Sequence, residues 1–248
     1  MRKQEDVISG RHPVQEALQS GRPLKKIVLA KGLKDPRADQ VGQLARAAGV
    51  PVEFQERARM DQLAPGTNHQ GILALAPPFA YASLEDLFRR AGGRGEAPFF
   101  LVLDHLQDPH NFGALLRTAE AVGAHGAVIP ERRSVGVTTG VYKAAAGAVE
   151  HLPVARVTNL ARALEELKIR GVWVAGADMQ GEHIYSQADL KGPLALVLGG
   201  EGKGLSPLIR EKCDYLLRLP MAGRTASLNV SVAGGILLYE IFRQRRAW

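Results

Sequence analysis

Between residues 99 and 220 the chain falls into short, almost wholly apolar runs separated by stretches with helical spacing. The runs are "FFLVLD", "HGAVIP", "LPVARV", "GVWVAGA", "PLALVLGG" and "DYLLRLP". They do not alternate apolar with polar. A strand that is apolar on both faces is covered on both faces, as in parallel sheets wrapped by helices. The clearest helix is "TNLARALEELKIRG". Leu160, Leu164 and Leu167 recur on one side of it, Thr158 is the candidate N-cap, and Gly171 marks its end. The pattern predicts an α/β fold built on a parallel sheet.

A smaller α/β alternation precedes it. "HPVQEALQS" reads as a helix and "KKIVLA" as a strand. "PRADQVGQLARAAGV" reads as a second helix, with Pro36 near its start and Gly49 near its end, and "PVEFQ" and "GILALA" are further strands. Between the two patterns, "APPFAYASLEDLFRRAGGRGEAP" carries a proline pair, a short amphipathic helix and a Gly/Arg-rich tract, as a linker does. The expected domains are 1–76 and 99–248, joined by a linker over 77–98.

Composition narrows the partners. Lys and Arg outnumber Asp and Glu by 32 to 25, a net charge of +7, which suits a polyanion or simply solubility. Two basic tracts stand out, "RRAGGRGE" in the linker and "FRQRRAW" at the C-terminus. The single cysteine, Cys213, excludes an internal disulfide and a cysteine metal cluster. His105 and His110 with Asp104 and Asp108 form no familiar ligand motif, so no metal is expected. "MRKQEDVISG" has no apolar core of a signal peptide, and no apolar run approaches the roughly 20 residues of a membrane span. The expectation is a cytoplasmic protein without a membrane partner.

Ligands of parallel sheets sit at the carboxyl ends of the strands, and three loops there carry unusual chemistry. In "LDHLQDPHNFGALLRTAEAVGA", Asn111 stands where an N-cap belongs, and Arg117 reads equally as a surface residue. "LVLGGEGKGLS" holds Gly199 and Glu201 in a glycine-rich turn, but lacks the phosphate-loop and dinucleotide patterns. "LPMAGRTASLNVSVAGG" sends Ser227, Asn229 and Ser231 into the start of an apolar helix; Ser227 fits as its cap, and the other two are harder to explain that way. No Ser-His-Asp order and no nucleophilic cysteine signature is present, which argues against covalent catalysis.

These three stretches, in this order, resemble the three signature motifs of the SpoU (TrmH) family of RNA 2′-O-ribose methyltransferases. "YKAAAGAVEHLPVARVTNLARAL" resembles the RlmB group, which acts on guanosine in large-subunit (23S) ribosomal RNA. "SGRHPVQEAL" and "NHQGILALA" resemble that group's small L30e-like substrate-binding domain. The resemblance implies a SPOUT-type α/β-knot catalytic domain with a deep trefoil knot, a homodimer, and S-adenosyl-L-methionine as methyl donor. It implies donor contacts at Gly199, Leu219 and Leu228, and catalytic positions at Asn111, Arg117, Glu201, Ser227 and Asn229. Family proposals make the arginine a general base. A free guanidinium keeps its proton up to a pKa above about 12, so Arg117 is read here as a clamp on the target phosphate. A tRNA substrate, another ribosomal RNA, or a non-catalytic RNA-binding role are the alternatives.

Overall fold

The computed structural model describes residues 6–33, 35–225 and 227–246. Its first elements are β1 (Asp6–Ser9), α1 (Arg11–Gln19), β2 (Lys26–Ala30), α2 (Pro36–Ala47), β3 (Val52–Gln55), α3 (Arg57–Leu63) and β4 (Ile72–Ala76). Next come α4 (Leu84–Gly93), β5 (Phe99–Asp104), α5 (Pro109–Ala121), β6 (Gly126–Pro130), α6 (Thr139–Ala145) and a 3-10 turn (Ala148–Glu150). The chain closes with β7 (Val154–Val157), α7 (Leu160–Ile169), β8 (Trp173–Ala177), β9 (His183–Ile184), β10 (Leu194–Gly199), α8 (Pro207–Lys212), β11 (Tyr215–Arg218) and α9 (Val230–Arg245).

Two compact units emerge. Unit 1 is Met1–Ala80 with Gly136–His151; unit 2 is Tyr81–Val135 with Leu152–Trp248. The segment 136–151, expected with the catalytic domain, therefore groups with unit 1. Its anchor there is Arg22. The guanidinium bonds Glu150 Oε1 at 2.9 Å and the Tyr142 hydroxyl, reaches Asp6 at 3.5 Å, and lies 4.6 Å from the Tyr142 ring centre. Gly147, with φ of 99°, lets the segment approach α1: a Cβ there would stand 2.2 Å from Glu16 Cγ. The unit 1 sheet runs β1-β4-β2-β3, with β4 antiparallel to both neighbours and β2 parallel to β3.

Unit 2 is a seven-stranded sheet in the order β7-β6-β5-β10-β8-β11-β9, every pair parallel. This bears out the α/β reading with a parallel sheet. β5 and β10 are buried along their whole length, which is why their sequences lack alternation. Leu160, Leu164 and Leu167 of α7 join Phe100, Val102 and Val197 in one core. The cap of α7 is Asn159, whose side chain accepts from Arg162 N; Thr158 lies one residue too early. Part of the expected linker belongs to unit 2: α4 is held by a Ser83–Asp86 capping box, and its Leu87 fills the space beside Gly126, where a Cβ would clash at 2.3 Å. The chain moves outward through β5, β6 and β7, then returns to place β10 against the other edge of β5. Ligand crevices open at such a reversal, outside the carboxyl ends of the strands.

Candidate active site

β5 and β10 end in register, Asp104 opposite Gly199. Asp104 is 1% exposed, so its carboxylate requires internal partners. It accepts from Ser206 N at 2.7 Å and bonds the His105 ring, tying the tip of β5 to the start of α8. The turn between β10 and α8 closes on itself through a Gly200–Gly204 bridge. A Cβ on Gly199 would lie 2.0 Å from the Gly204 carbonyl carbon, and one on Gly200 would lie 2.7 Å from the His105 oxygen. The glycines are there because backbone meets backbone.

The polar residues of the three loops form one hydrogen-bonded chain. Asn111 Nδ2 donates to Glu201 Oε1 at 2.7 Å. Asn229 Nδ2 donates to Asn111 Oδ1 at 3.0 Å. Asn229 Oδ1 in turn accepts from Ser231 N at 2.9 Å and Ser231 Oγ at 2.6 Å. Asn111 is 8% exposed and is satisfied on both sides of its amide. Two expected caps need correcting. The cap of α5 is Asp108, which accepts from His110 N; Asn111 lies inside the first turn with its amide turned to the cluster. The cap of α9 is Asn229, not Ser227. So Asn229 both caps a helix and reaches across to α5.

A cavity of about 690 Å³ opens beside this chain. Gly199, Glu201, Leu219, Ser227, Leu228 and Asn229 line it, as do the unforeseen Met179 and Met221. Its size is that of a small-molecule pocket. Six of the eight expected site residues therefore face one space, and Asn111 joins them through hydrogen bonds. Arg117 does not. It is exposed on α5, and six residues beyond Asn111 it points about 240° around the helix. Sequence reasoning passed over Asp104 as a site-forming residue, although an acid ending an apolar strand was the available signal. Cys213 is packed rather than reactive: it is bonded to the Ile209 carbonyl, and burial pushes its thiol up to about 12.

The model of the SpoU rRNA methylase family matches residues 98–239, a span that holds all three loops. The chain belongs to that family. A second family model, RNA 2′-O ribose methyltransferase substrate binding, matches residues 7–82. The SpoU chain is 51% identical over 245 residues to YacO of Bacillus subtilis (strain 168), which carries a provisional assignment as a TrmH family tRNA/rRNA methyltransferase; the match covers 99% of this chain and 98% of YacO. Among solved structures, the SpoU methyltransferase AviRb from Streptomyces viridochromogenes in complex with AdoMet superposes with a TM-score of 0.81 at 26% identity, covering 97% of this chain and 90% of AviRb. An AdoMet-bound rRNA methyltransferase from Sinorhizobium meliloti gives 0.79 at 27% identity, covering 98% and 88%. The chain is thus an RNA methyltransferase of the SpoU family.

Proposed function

We propose that this SpoU family member transfers a methyl group from S-adenosylmethionine to the ribose 2′-oxygen of a guanosine in large-subunit (23S) ribosomal RNA. The observation that carries the reading is the hydrogen-bonded chain Glu201–Asn111–Asn229–Ser231 bordering a cavity with leucines on its walls and glycine backbone at one end. Leu198, Leu217, Leu219, Leu228 and Leu237 offer an apolar slot for a purine, and the glycine turn offers peptide edges to its polar atoms. The cavity thus fits the donor on the chemistry of its own lining. AviRb and the Sinorhizobium enzyme, both named as AdoMet-bound, support that ligand here.

The donor supplies an already activated methyl on a sulfonium. The chain's task is alignment and charge control. Asn111 fixes α5 to the glycine turn and to α9, so three loops present one rigid rim. Glu201 and Ser227 are polar groups on that rim, together with Asn229. Arg117 clamps the target phosphate and favours loss of the 2′-hydroxyl proton.

Arg117 reaches the rim through a homodimer. Val232, Ile236 and Tyr239 recur at helical spacing on α9 and are 51%, 38% and 55% exposed, with Leu228 at 37% beside them. An apolar stripe bordering a site is where a second copy packs, and it would bring a second Arg117 with it. In this reading the segment from β10 to α9 is a deep trefoil knot, unit 1 is an L30e-like RNA-holding domain, and the enzyme works in the cytoplasm. Among the described residues no helix is long and apolar enough to cross a membrane.

Labelled methyl transfer to RNA lacking ribose methylation tests the proposal. Label in large-subunit RNA, in an alkali-resistant dinucleotide containing 2′-O-methylguanosine, is expected. Label confined to tRNA keeps the chemistry and removes the substrate. The tRNA/rRNA naming of YacO makes that the specific second reading.

A further inference from the structure

The two basic tracts that stand 150 residues apart in sequence meet in unit 2. A notch of about 280 Å³ is lined by Glu96, His125, Lys191, Phe242, Arg245 and Arg246, together with the start of β5. It lies at the end of the sheet where β5 and β6 begin, and the donor cavity lies where β5 and β10 end. α9 connects the two. Val230, Ala233 and Leu237 line the cavity and Phe242, Arg245 and Arg246 line the notch, two groups centred about 11 residues, or about 16 Å, apart along the helix.

The notch is framed by fixed groups. His125 is 1% exposed; its Nδ1 accepts from Phe99 N at 3.0 Å, so its Nε2 carries the hydrogen and donates to Glu96 at 3.0 Å. Glu96 Oε1 also meets Arg246 at 3.4 Å. Arg245 is held by the carbonyls of Ala97 and Pro98, with its guanidinium 5.2 Å from the Phe99 ring centre. Among the described residues, Glu96 is therefore the one acid lining a space that Lys191, Arg245 and Arg246 also line. Arg94, at the end of α4, is close enough for its charge to reach the His125 ring. Helix dipoles favour basic residues at the ends of α4 and α9. They do not explain Lys191, which sits on the loop before β10. Like charges gathered around a single, already engaged carboxylate repel one another unless an anion joins them.

We propose that this notch binds phosphodiester groups of the RNA substrate, holding the strand about 16 Å along α9 from the donor cavity, or roughly five stacked nucleotides. Arg245 forms its floor, Lys191 and Arg246 close over the backbone, and Arg94 adds charge from the end of α4. The contact carries no base information; it adds affinity and orientation. The proposal rests on the reading of the chain as an RNA 2′-O-methyltransferase.

The test compares two triple variants of the full chain. One is Arg94→Gln/Lys191→Gln/Arg246→Gln. The control, Arg89→Gln/Arg162→Gln/Lys168→Gln, removes the same charge from exposed positions on α4 and α7. Binding of a 40-nucleotide ribosomal RNA fragment is titrated against salt. For the notch variant the slope of log K against log salt should flatten by about 2, from three lost contacts at about 0.7 each, and Kd should rise at least about tenfold at low salt. Donor affinity and kcat at saturating RNA should stay at wild-type values. An unchanged slope, or equal flattening in the control, overturns the notch. Loss of donor binding in the notch variant also overturns it, since the residues would then serve the fold. If the wild-type chain transfers no methyl group, the proposed reaction fails on its own, and the slopes still decide whether the notch holds RNA.

Discussion

Arg22 in unit 1 and Asn111 in unit 2 are both largely buried polar side chains that gather partners from distant parts of the sequence, and they end differently. Arg22 spends its guanidinium on Glu150, Tyr142 and Asp6, and its cluster closes on itself. The Glu150 and Tyr142 side chains are almost fully covered. The Asn111 chain is open. It runs from Ser231 through Asn229 and Asn111 to Glu201, which lies exposed on a cavity wall. A saturated cluster contributes structure. A chain that ends on a cavity with unused acceptors is built to receive something.

Four experiments break or sharpen that contrast. The largest effect falls on the closed cluster. Arg22→Ala leaves Glu150 and Asp6 without their shared cation, and removing one partner of a buried pair costs about 3–5 kcal/mol. Denaturant unfolding should show that loss, and methyl transfer per folded molecule should stay near wild type. A matching fall in kcat would mean that the cluster also serves the site.

The open chain should behave in the opposite way. Asn111→Ala is expected to lower transfer about 100-fold through misplacement of the rim, with little change in melting temperature. Asn229→Ala should lower transfer similarly and also destabilise by about 1 kcal/mol through the lost cap. In a double-mutant cycle the two should be far from additive, because they share one hydrogen bond. Additive losses would mean that the chain does not act as a unit.

Arg117→Lys comes next. It keeps the charge and loses the planar fork, so kcat/KM should fall about tenfold if two phosphate oxygens are gripped. Turnover close to wild type would sink the clamp. The smallest effect is a pH dependence at His125. Burial holds this imidazole below its ordinary value of 6.5, despite its bond to Glu96. The unfolded chain therefore takes up the proton first. The stability that His125 contributes is complete above about pH 6.5 and is lost as the pH falls through its lowered folded value. Melting curves between pH 7 and 5 should show this limb, and His125→Asn should flatten it.

The sheet and most helices were legible in the sequence because apolar runs and glycine or proline breaks are local signals. Helix ends were less so. Thr158, Asn111 and Ser227 each stood near a helix start, but Asn159, Asp108 and Asn229 take the caps. Side-chain geometry over two or three residues decides that choice, and any of Ser, Thr, Asn or Asp satisfies the pattern. Asn229 and Ser231 were harder to explain as caps than Ser227, yet Asn229 is the cap and Ser231 bonds it directly. The grouping of 136–151 with unit 1 was invisible, because its anchor joins Arg22 to Tyr142 and Glu150 across more than a hundred residues.

By itself, the sequence determined which strands would be buried on both faces, where glycines permit backbone to touch backbone, and which three loops carry the polar groups that join beside one cavity. These depend on residue type and spacing. The tertiary structure alone decided that Asn111 and Asn229, 118 positions apart, share a hydrogen bond, that Arg117 stands away from them, and that Glu96 meets Arg246 beside one notch. Strand order sets those distances, and it is fixed by how the apolar faces cover one another.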